Sequence, residues 1–311
     1  MHWRTCLSGI VLLSFALFEM VGCASEGDAG TKRSGTGEIS IIYTNSTNGY
    51  MDPCKCPGKP LGGLARRATA IKKERAAQKN VLVVDSGDFF AALSAPDRNA
   101  TLLETTKLIN YDMVGVGDQE LIEGVDHFQQ VVARSGVPFV AANLRRLPDV
   151  PLAKPYLIKK YNGMKVAVTS IVSKAAFMFY PKEERKLLKI DDPIETLNKL
   201  IPKLRKKADL IVVLSHSGYG SDRSLVEKVS GMDVVVSGHS NTLLKKEMKF
   251  NDAIIVQAGR NGEHVGVLSL EIQEGKITSY QNRLIELDPS VPDDPEVREI
   301  IEQYKEARKS K

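Results

Sequence analysis

Two aspartates and two histidines stand just beyond apolar, strand-forming runs of this 311-residue chain. Carboxylate and imidazole groups are the side chains that hold catalytic divalent metals. Taken singly, each has an ordinary explanation, such as a helix cap or a turn. Together, at successive strand ends, they favour one shared metal site. The four residues are Asp88, Asp118, His216 and His239.

A pair of cysteines, Cys54 and Cys56, lies in the loop of residues 44–56 with Lys55 between them. As thiolates, the two sulfurs would select Zn, Fe or Cu over Mg or Mn. As a dithiol and disulfide they would form a labile redox pair, and Lys55 would favour the thiolate. A static disulfide that staples the loop is the third interpretation.

Apolar runs alternate with segments of helical spacing, which predicts an α/β layered fold. The predicted strands are residues 38–43, 81–85, 113–116, 139–142, 165–171, 210–214 and 234–237. The predicted helices are residues 62–78, 102–109, 125–135, 194–207, 223–229 and 295–309. The runs at 254–258, 265–272 and 277–284 suggest a closing, more antiparallel sheet. Right-handed crossovers bring the carboxyl ends of parallel strands to one edge, where such sheets bind ligands.

The first residues have the pattern of an export signal. Arg4 is followed by an apolar run at 10–18, too short to span a bilayer comfortably, and a small residue precedes Cys23. This resembles a bacterial lipobox and predicts a lipid on Cys23. An ordinary secretory signal, with Cys23 incidental, is the alternative.

The predicted organisation is a lipoprotein signal peptide at 1–22, a flexible tether at 23–37, a single domain at 38–290 and a charged C-terminal helix at 291–311. We expect a lipid-anchored protein of the bacterial cell envelope that faces the periplasm. Ala24 and Ser25 stand where an inner-membrane retention signal would place Asp, so the outer membrane is the expected host.

The charge of the chain argues against one class of partner. Its 43 basic and 38 acidic residues give a net charge of +5 in a mixed pattern, without a basic stripe. We therefore expect no nucleic acid partner.

Seven segments, in order, resemble the N-terminal metallophosphatase domain of the 5'-nucleotidase and UDP-sugar hydrolase (UshA-like) family. They are TNSTNG from Thr44, GGLARRATAI from Gly62, VVDSGDFF from Val83, YDMVGVGDQEL from Tyr111, VAANL from Val140, ADLIVVLSHSG from Ala208 and MDVVVSGHSNT from Met232. The resemblance implies a calcineurin-like β-sandwich flanked by helices, in four layers α-β-β-α. It also implies two metals that clamp a phosphate and activate a water.

The resemblance implies that the first metal has lost its private ligands. The family's first loop normally reads Thr-Asn-Asp-x-His-Gly, and its Asp and His correspond to Ser46 and Asn48. The last His of the family's closing Gly-His-x-His corresponds to Asn241. Two cysteines enter the same loop.

The ligands of the second metal remain plausible. Asp88 matches the bridging aspartate, Asp118 replaces an asparagine ligand, and His216 and His239 match two histidines. The family's leaving-group histidine corresponds to Gln119, which cannot act as a general acid.

Three hypotheses follow. The first is a divergent 5'-nucleotidase-like hydrolase of a small phosphorylated molecule that uses one divalent metal, with Zn, Mn and Fe as candidates. The second is a redox or soft-metal protein that uses Cys54 and Cys56. The third is a catalytically silent binding lipoprotein.

Overall fold

The computed structural model describes residues 34 to 310, whose strands form two six-stranded sheets and one three-stranded sheet. The predicted signal peptide, Cys23 and most of the tether lie outside the described residues. The strands are β1 (Gly37–Thr44), β2 (Val81–Asp85), β3 (Met113–Gly115), β4 (Phe139–Val140), β5 (Leu144–Arg146), β6 (Val150–Pro151), β7 (Tyr156–Tyr161), β8 (Met164–Val172), β9 (Leu188–Ile190), β10 (Leu210–His216), β11 (Val234–Ser237), β12 (Met248–Phe250), β13 (Ala253–Val256), β14 (His264–Gln273) and β15 (Lys276–Glu286). The helices are α1 (Leu64–Ala77), α2 (Pro96–Ile109), α3 (Val125–Arg134), α4 (Lys182–Arg185), α5 (Pro193–Arg205), α6 (Tyr219–Lys228) and α7 (Pro295–Lys309), with short 3-10 helices at Gln119–Leu121 and Lys174–Phe179.

The central strands are parallel and covered on both faces, which agrees with their continuous apolar sequences. The first sheet has the order β15-β14-β1-β2-β3-β4, and β1 to β4 run parallel. The second sheet has the order β12-β13-β11-β10-β8-β7, and β8, β10, β11 and β13 run parallel. Every residue of β10 is buried. The carboxyl ends of β2, β3, β10 and β11 therefore define the edge that carries the candidate ligands.

Three apolar clusters separate four layers. One cluster fills the space between the two sheets, with Ile41 and Val84 from the first and Val212 from the second. A second cluster packs α1, α2, α3 and α7 onto the outer face of the first sheet, and a third packs α5 and α6 onto the second. This arrangement confirms the predicted four-layer α-β-β-α sandwich.

The prediction of one closing sheet from the last three strands is wrong. β13 joins the second sheet parallel to β11, whereas β14 crosses to the first sheet and pairs antiparallel with β1. β15 then pairs antiparallel with β14. An apolar run indicates that a strand is buried but does not indicate which sheet it joins.

Two further elements differ from the prediction or extend it. Helix α2 begins at Pro96 rather than near residue 102, because proline is well suited to the first helical turn, where its missing N–H has no partner to lose. The short strands β5, β6 and β9 form a small sheet that the sequence did not predict.

The predicted charged helix at 295–309 is confirmed as α7. Its buried Val297 and Ile301 pack into the same core cluster as α1 and α2. Between residues 34 and 310, the chain contains no helix with the length and apolarity that crossing a membrane requires.

Candidate metal centre

The four predicted ligands meet at the shared edge of the two sheets. Asp88 follows β2, Asp118 follows β3, His216 ends β10 and His239 follows β11. One ligand atom from each lies within 4.8 Å of all the others. This group contains neither Cys54 nor Cys56, so the cysteines are not brought to the cluster as ligands.

His216 is oriented by a backbone carbonyl. Its Nδ1 lies 2.8 Å from the oxygen of Ser86, which can only accept, so Nδ1 carries the proton and Nε2 faces the cluster. Nε2 lies 3.0 Å from Asp88 Oδ2 and 3.6 Å from Asp118 Oδ1. Both His216 Nε2 and Asp118 Oδ1 are buried without a hydrogen-bond partner. A bound cation would displace the proton from Nε2 and give both atoms a partner, so these two atoms fit a metal site.

His239 lies on the solvent side of the cluster. Its Nδ1 is 3.6 Å from Asp118 Oδ1, and its side chain is 38% exposed, whereas that of His216 is fully buried. The two imidazole rings are 5.2 Å apart and meet edge to face. The centre is therefore open on the His239 side.

Glycines allow the loops that carry Asp88 and Asp118 to approach each other closely. A Cβ at Gly117 would lie 2.4 Å from Asp88 Oδ1, and one at Gly87 would lie 2.6 Å from the backbone nitrogen of Gly117. Gly87 also adopts φ of +93°, which disfavours other residues. This explains why both aspartates follow a glycine.

The ligands set each other's protonation. Burial opposes the charged form of Asp118, but the imidazoles of His216 and His239 outweigh it and hold the pKa of Asp118 well below its ordinary value. Burial likewise opposes charge on His216, but Asp88 and Asp118 raise the pKa of that imidazole well above its ordinary value. The site attracts positive charge, as a cation-binding centre requires.

Glu120, which was not among the residues predicted for the site, positions the loop of Asp88. Its buried carboxylate accepts hydrogen bonds from the backbone nitrogens of Asp88, Phe89 and Gly117, at 2.9, 2.7 and 2.7 Å. Burial raises the pKa of Glu120 to about 7. The only signal in the sequence was a carboxylate placed next to a strand end.

Neutral side chains occupy the positions where the family resemblance implies the first metal. Asn48 donates to Asn241 Oδ1 at 3.2 Å and to Asn261 Oδ1 at 3.0 Å. Gln119 donates to Asn48 Oδ1 at 3.0 Å. Ser46 is fully buried, and its hydroxyl has no partner. We call Asn48, Gln119, Asn241 and Asn261 the amide cluster; Asn261 was not predicted.

A groove of about 840 Å³ opens beside the amide cluster. Its lining includes Asn48 and Asn261 of the amide cluster and residues of α7. The aromatic and cationic side chains along it are Tyr50, Tyr304, Arg98 and Arg308. With two arginines against one carboxylate, Asp97, the groove is suited to an aromatic group that carries negative charge.

The cysteines form a disulfide, Cys54–Cys56, in the segment that leads from Asn48 to α1. Pro53 pairs with Gly62 in an antiparallel bridge, which makes residues 53–62 a short hairpin. Among residues 34–310, the one group of three or more side chains that could bind a metal is the four-ligand centre. The hairpin contains no such group.

Comparisons with known proteins agree with the geometry. No family model matches the chain. Human 5'-nucleotidase is 28% identical over 310 aligned residues, which cover 88% of this chain and 53% of the human protein. The chain spans about half the length of the curated relatives it matches.

Solved structures show the same fold. A 5'-nucleotidase precursor from Thermus thermophilus has a TM-score of 0.77 at 24% identity, over 88% of this chain and 59% of that one. The calcineurin-like phosphoesterase YfkN from Bacillus subtilis has a TM-score of 0.75 at 21% identity, over 88% and 98%. The chain therefore has the metallophosphatase fold of the calcineurin-like phosphoesterases, and over most of its length its sequence is similar to 5'-nucleotidases.

Proposed function

We propose that the chain is a metal-dependent phosphoester hydrolase that holds one divalent ion at Asp88, Asp118, His216 and His239. The observation that carries the proposal is the convergence of these ligand atoms within 4.8 Å. The buried, unpartnered His216 Nε2 and Asp118 Oδ1 support it. Two imidazoles and two carboxylates suit Zn, Mn or Fe.

A divalent ion in such a site acts as a Lewis acid and lowers the pKa of a bound water. Side chains around the ion provide the remaining contacts of the site. Asp88 bridges the centre to the amide cluster, because its Oδ2 accepts from Gln119 at 3.1 Å and lies 3.0 Å from His216. The Nδ2 amide group of Asn241 can bind a phosphoryl oxygen by a hydrogen bond, whereas both N–H groups of the Gln119 side chain already donate, to Asn48 and to Asp88.

The amide of Gln119 restricts the substrate. It can donate a hydrogen bond but cannot transfer a proton to a departing oxygen, because an amide does not titrate near neutral pH. An ester whose leaving alcohol has a high pKa needs that proton. The proposed substrates are therefore esters of acidic alcohols, such as phenols.

The groove beside the amide cluster suits the same substrates. Asn48, which lines the groove, accepts a hydrogen bond from Gln119, which also donates to Asp88. A phosphoryl group at the metal would therefore direct its organic part toward Tyr50 and Tyr304. Stacking on these rings would hold an aromatic leaving group, while Arg98 and Arg308 favour negative charge.

The proposed location is the bacterial cell envelope, with a lipid on Cys23 and the domain facing the periplasm. This rests on the pattern of the first 23 residues alone.

The test is hydrolysis of p-nitrophenyl phosphate by the purified full chain, first stripped of metal with a chelator and then supplied with Zn²⁺, Mn²⁺ or Fe²⁺. We expect activity to require one of these ions and to be lost in His216→Ala. His127→Ala is the matched control, because His127 is an exposed histidine on α3. A chain that binds a metal but hydrolyses no phosphoester would overturn the proposal.

A further inference from the structure

The exposed disulfide Cys54–Cys56 stands outside the metal centre, and the proposed hydrolysis does not use it. Cys56 is exposed and Cys54 is half-buried. Lys55 between them is exposed too. The disulfide is therefore accessible to a second molecule.

The bond does not hold the hairpin closed. Cys54 donates its backbone N–H to the oxygen of Leu61 at 2.8 Å, and Gly62 donates to Leu287 at 2.9 Å. At the base, Leu64 donates to Met51 at 2.9 Å. A cross-link stabilises a chain more when it closes a longer loop, and this one spans a single residue. Its contribution to stability is therefore small.

The two sulfurs differ in hydrogen bonding and in exposure, and these differences favour attack by a thiol on one of them. The backbone N–H of Leu61 donates to Cys54 Sγ at 3.3 Å. Such a donor stabilises negative charge on that sulfur, so Cys54 is the better leaving group. Cys56 has the exposure that an incoming thiol requires. Attack at Cys56 and departure of Cys54 are thus both favoured.

One lysine stands next to both cysteines in the sequence. Lys55 lies between Cys54 and Cys56 and is exposed, whereas Lys59 in the same hairpin forms ion pairs with Glu286 and Asp288. A cationic side chain beside a cysteine stabilises a thiolate, so Lys55 suits the exchange chemistry of this pair.

We infer that Cys54 and Cys56 form a thiol–disulfide exchange site for a partner dithiol. A partner thiolate attacks Cys56 Sγ, the Cys54–Cys56 bond breaks, and Cys54 leaves as a thiolate that accepts the Leu61 N–H. The partner's second thiolate then attacks its own sulfur in the mixed disulfide and releases Cys56. Two electrons pass to the pair, and the partner leaves as a disulfide. In the reverse direction, Cys56 attacks the partner disulfide and Cys54 resolves it.

The first experiment maps the attacked sulfur in the oxidised full chain. The protein is treated with glutathione, quenched with acid, alkylated with N-ethylmaleimide and digested with trypsin. Cleavage after Lys55 separates Cys54 from Cys56, and cleavage after Lys32 separates both from Cys6 and Cys23. We expect glutathione on Cys56 and N-ethylmaleimide on Cys54, in at least tenfold excess over the opposite pattern. Equal labelling, or no mixed disulfide, would overturn the inference.

The second experiment uses two matched variants and oxidised glutathione. Cys54→Ser should form a lasting mixed disulfide through Cys56 at least tenfold faster than Cys56→Ser does through Cys54. Similar rates in both variants would show that exchange does not prefer Cys56 over Cys54. Neither readout depends on phosphoester hydrolysis, so the exchange site and the hydrolase stand or fall separately.

Discussion

Gln119 donates one side-chain hydrogen bond to Asn48 Oδ1 at 3.0 Å and lies beside Asp88 through a second at 3.1 Å. The amide thus stands where the family resemblance implies a proton donor for the leaving group. We expect Gln119→His to raise kcat/KM for an alkyl phosphate by about 10- to 100-fold, because general acids commonly contribute that much or more. Turnover of p-nitrophenyl phosphate should change little. A similar gain on both substrates would indicate an effect on binding rather than on proton transfer.

The amount of bound metal should depend on His216. We expect about one divalent ion per chain by mass spectrometry of the native protein, as the four-ligand cluster implies, and a large loss in His216→Ala. His127→Ala should keep its metal. Retention in the His216 variant would show that the centre lies elsewhere.

Restoring the ligands of the first metal should add a second ion. The triple variant Ser46→Asp, Asn48→His and Asn241→His supplies one carboxylate and two imidazoles beside the existing centre. We expect metal content to rise from about one to about two ions per chain. Asn48 and Asn241 have φ of 53° and 55°, in the left-handed region that few residues other than glycine adopt. Asn251→His, at φ of 51°, is the control for that conformation. An unchanged metal content in a folded triple variant would contradict the prediction.

The groove should bind aromatic leaving groups. Tyr50 is 49% exposed in the groove wall, and we expect Tyr50→Ala to raise KM for p-nitrophenyl phosphate by about three- to tenfold, as one stacking contact implies. KM for an alkyl phosphate should stay the same. Phe179→Ala is the control, since Phe179 is 89% exposed but does not line the groove. Equal changes for both substrates would argue against stacking.

Asp222 should make stability depend on pH. Burial raises its pKa to about 7 from 3.8, although Ser215 donates a hydrogen bond to it. In the unfolded chain the carboxyl loses its proton near pH 4, whereas the folded chain keeps it until about pH 7. The free energy of unfolding therefore falls as pH rises through this window.

Asp222→Asn removes this dependence, because the amide stays neutral. Measured on metal-free protein, the variant should be about as stable as the native chain at pH 4. Above pH 7 it should be more stable, by on the order of 2 to 4 kcal/mol. Denaturant melts at several pH values give the difference. A constant difference between pH 4 and pH 8 would show that Asp222 does not titrate in this range.

The strands that carry the metal ligands were predictable because each is a continuous apolar run. β2, β10 and β11 end within one or two residues of their predicted bounds, and parallel pairing brings those ends together. The cluster of Asp88, Asp118, His216 and His239 follows from that geometry. Short strands such as β5 and β6, with few apolar residues, give no comparable signal.

Other parts of the site depend on contacts between distant residues. Glu120 acts through backbone nitrogens about thirty positions earlier, and no pattern in the sequence marks that pairing. Asn261 joins the amide cluster only because β14 crosses to the first sheet. The bond between Cys54 and Cys56 agrees with two of the three interpretations, the redox pair and the static disulfide, and two cysteines separated by one residue are compatible with either.

The crossing of β14 also affects how the chain folds. Ile41 in β1 pairs with Leu268, and Asn45 beyond that strand bonds the backbone of Ala258 at 2.8 Å, more than 200 residues later. Contacts so distant in sequence carry a high loop-closure cost and slow folding. During synthesis β1 must therefore wait until β14, more than 200 residues later, has been made before it gains its antiparallel neighbour. We expect the amide cluster to be among the last parts of the protein to form.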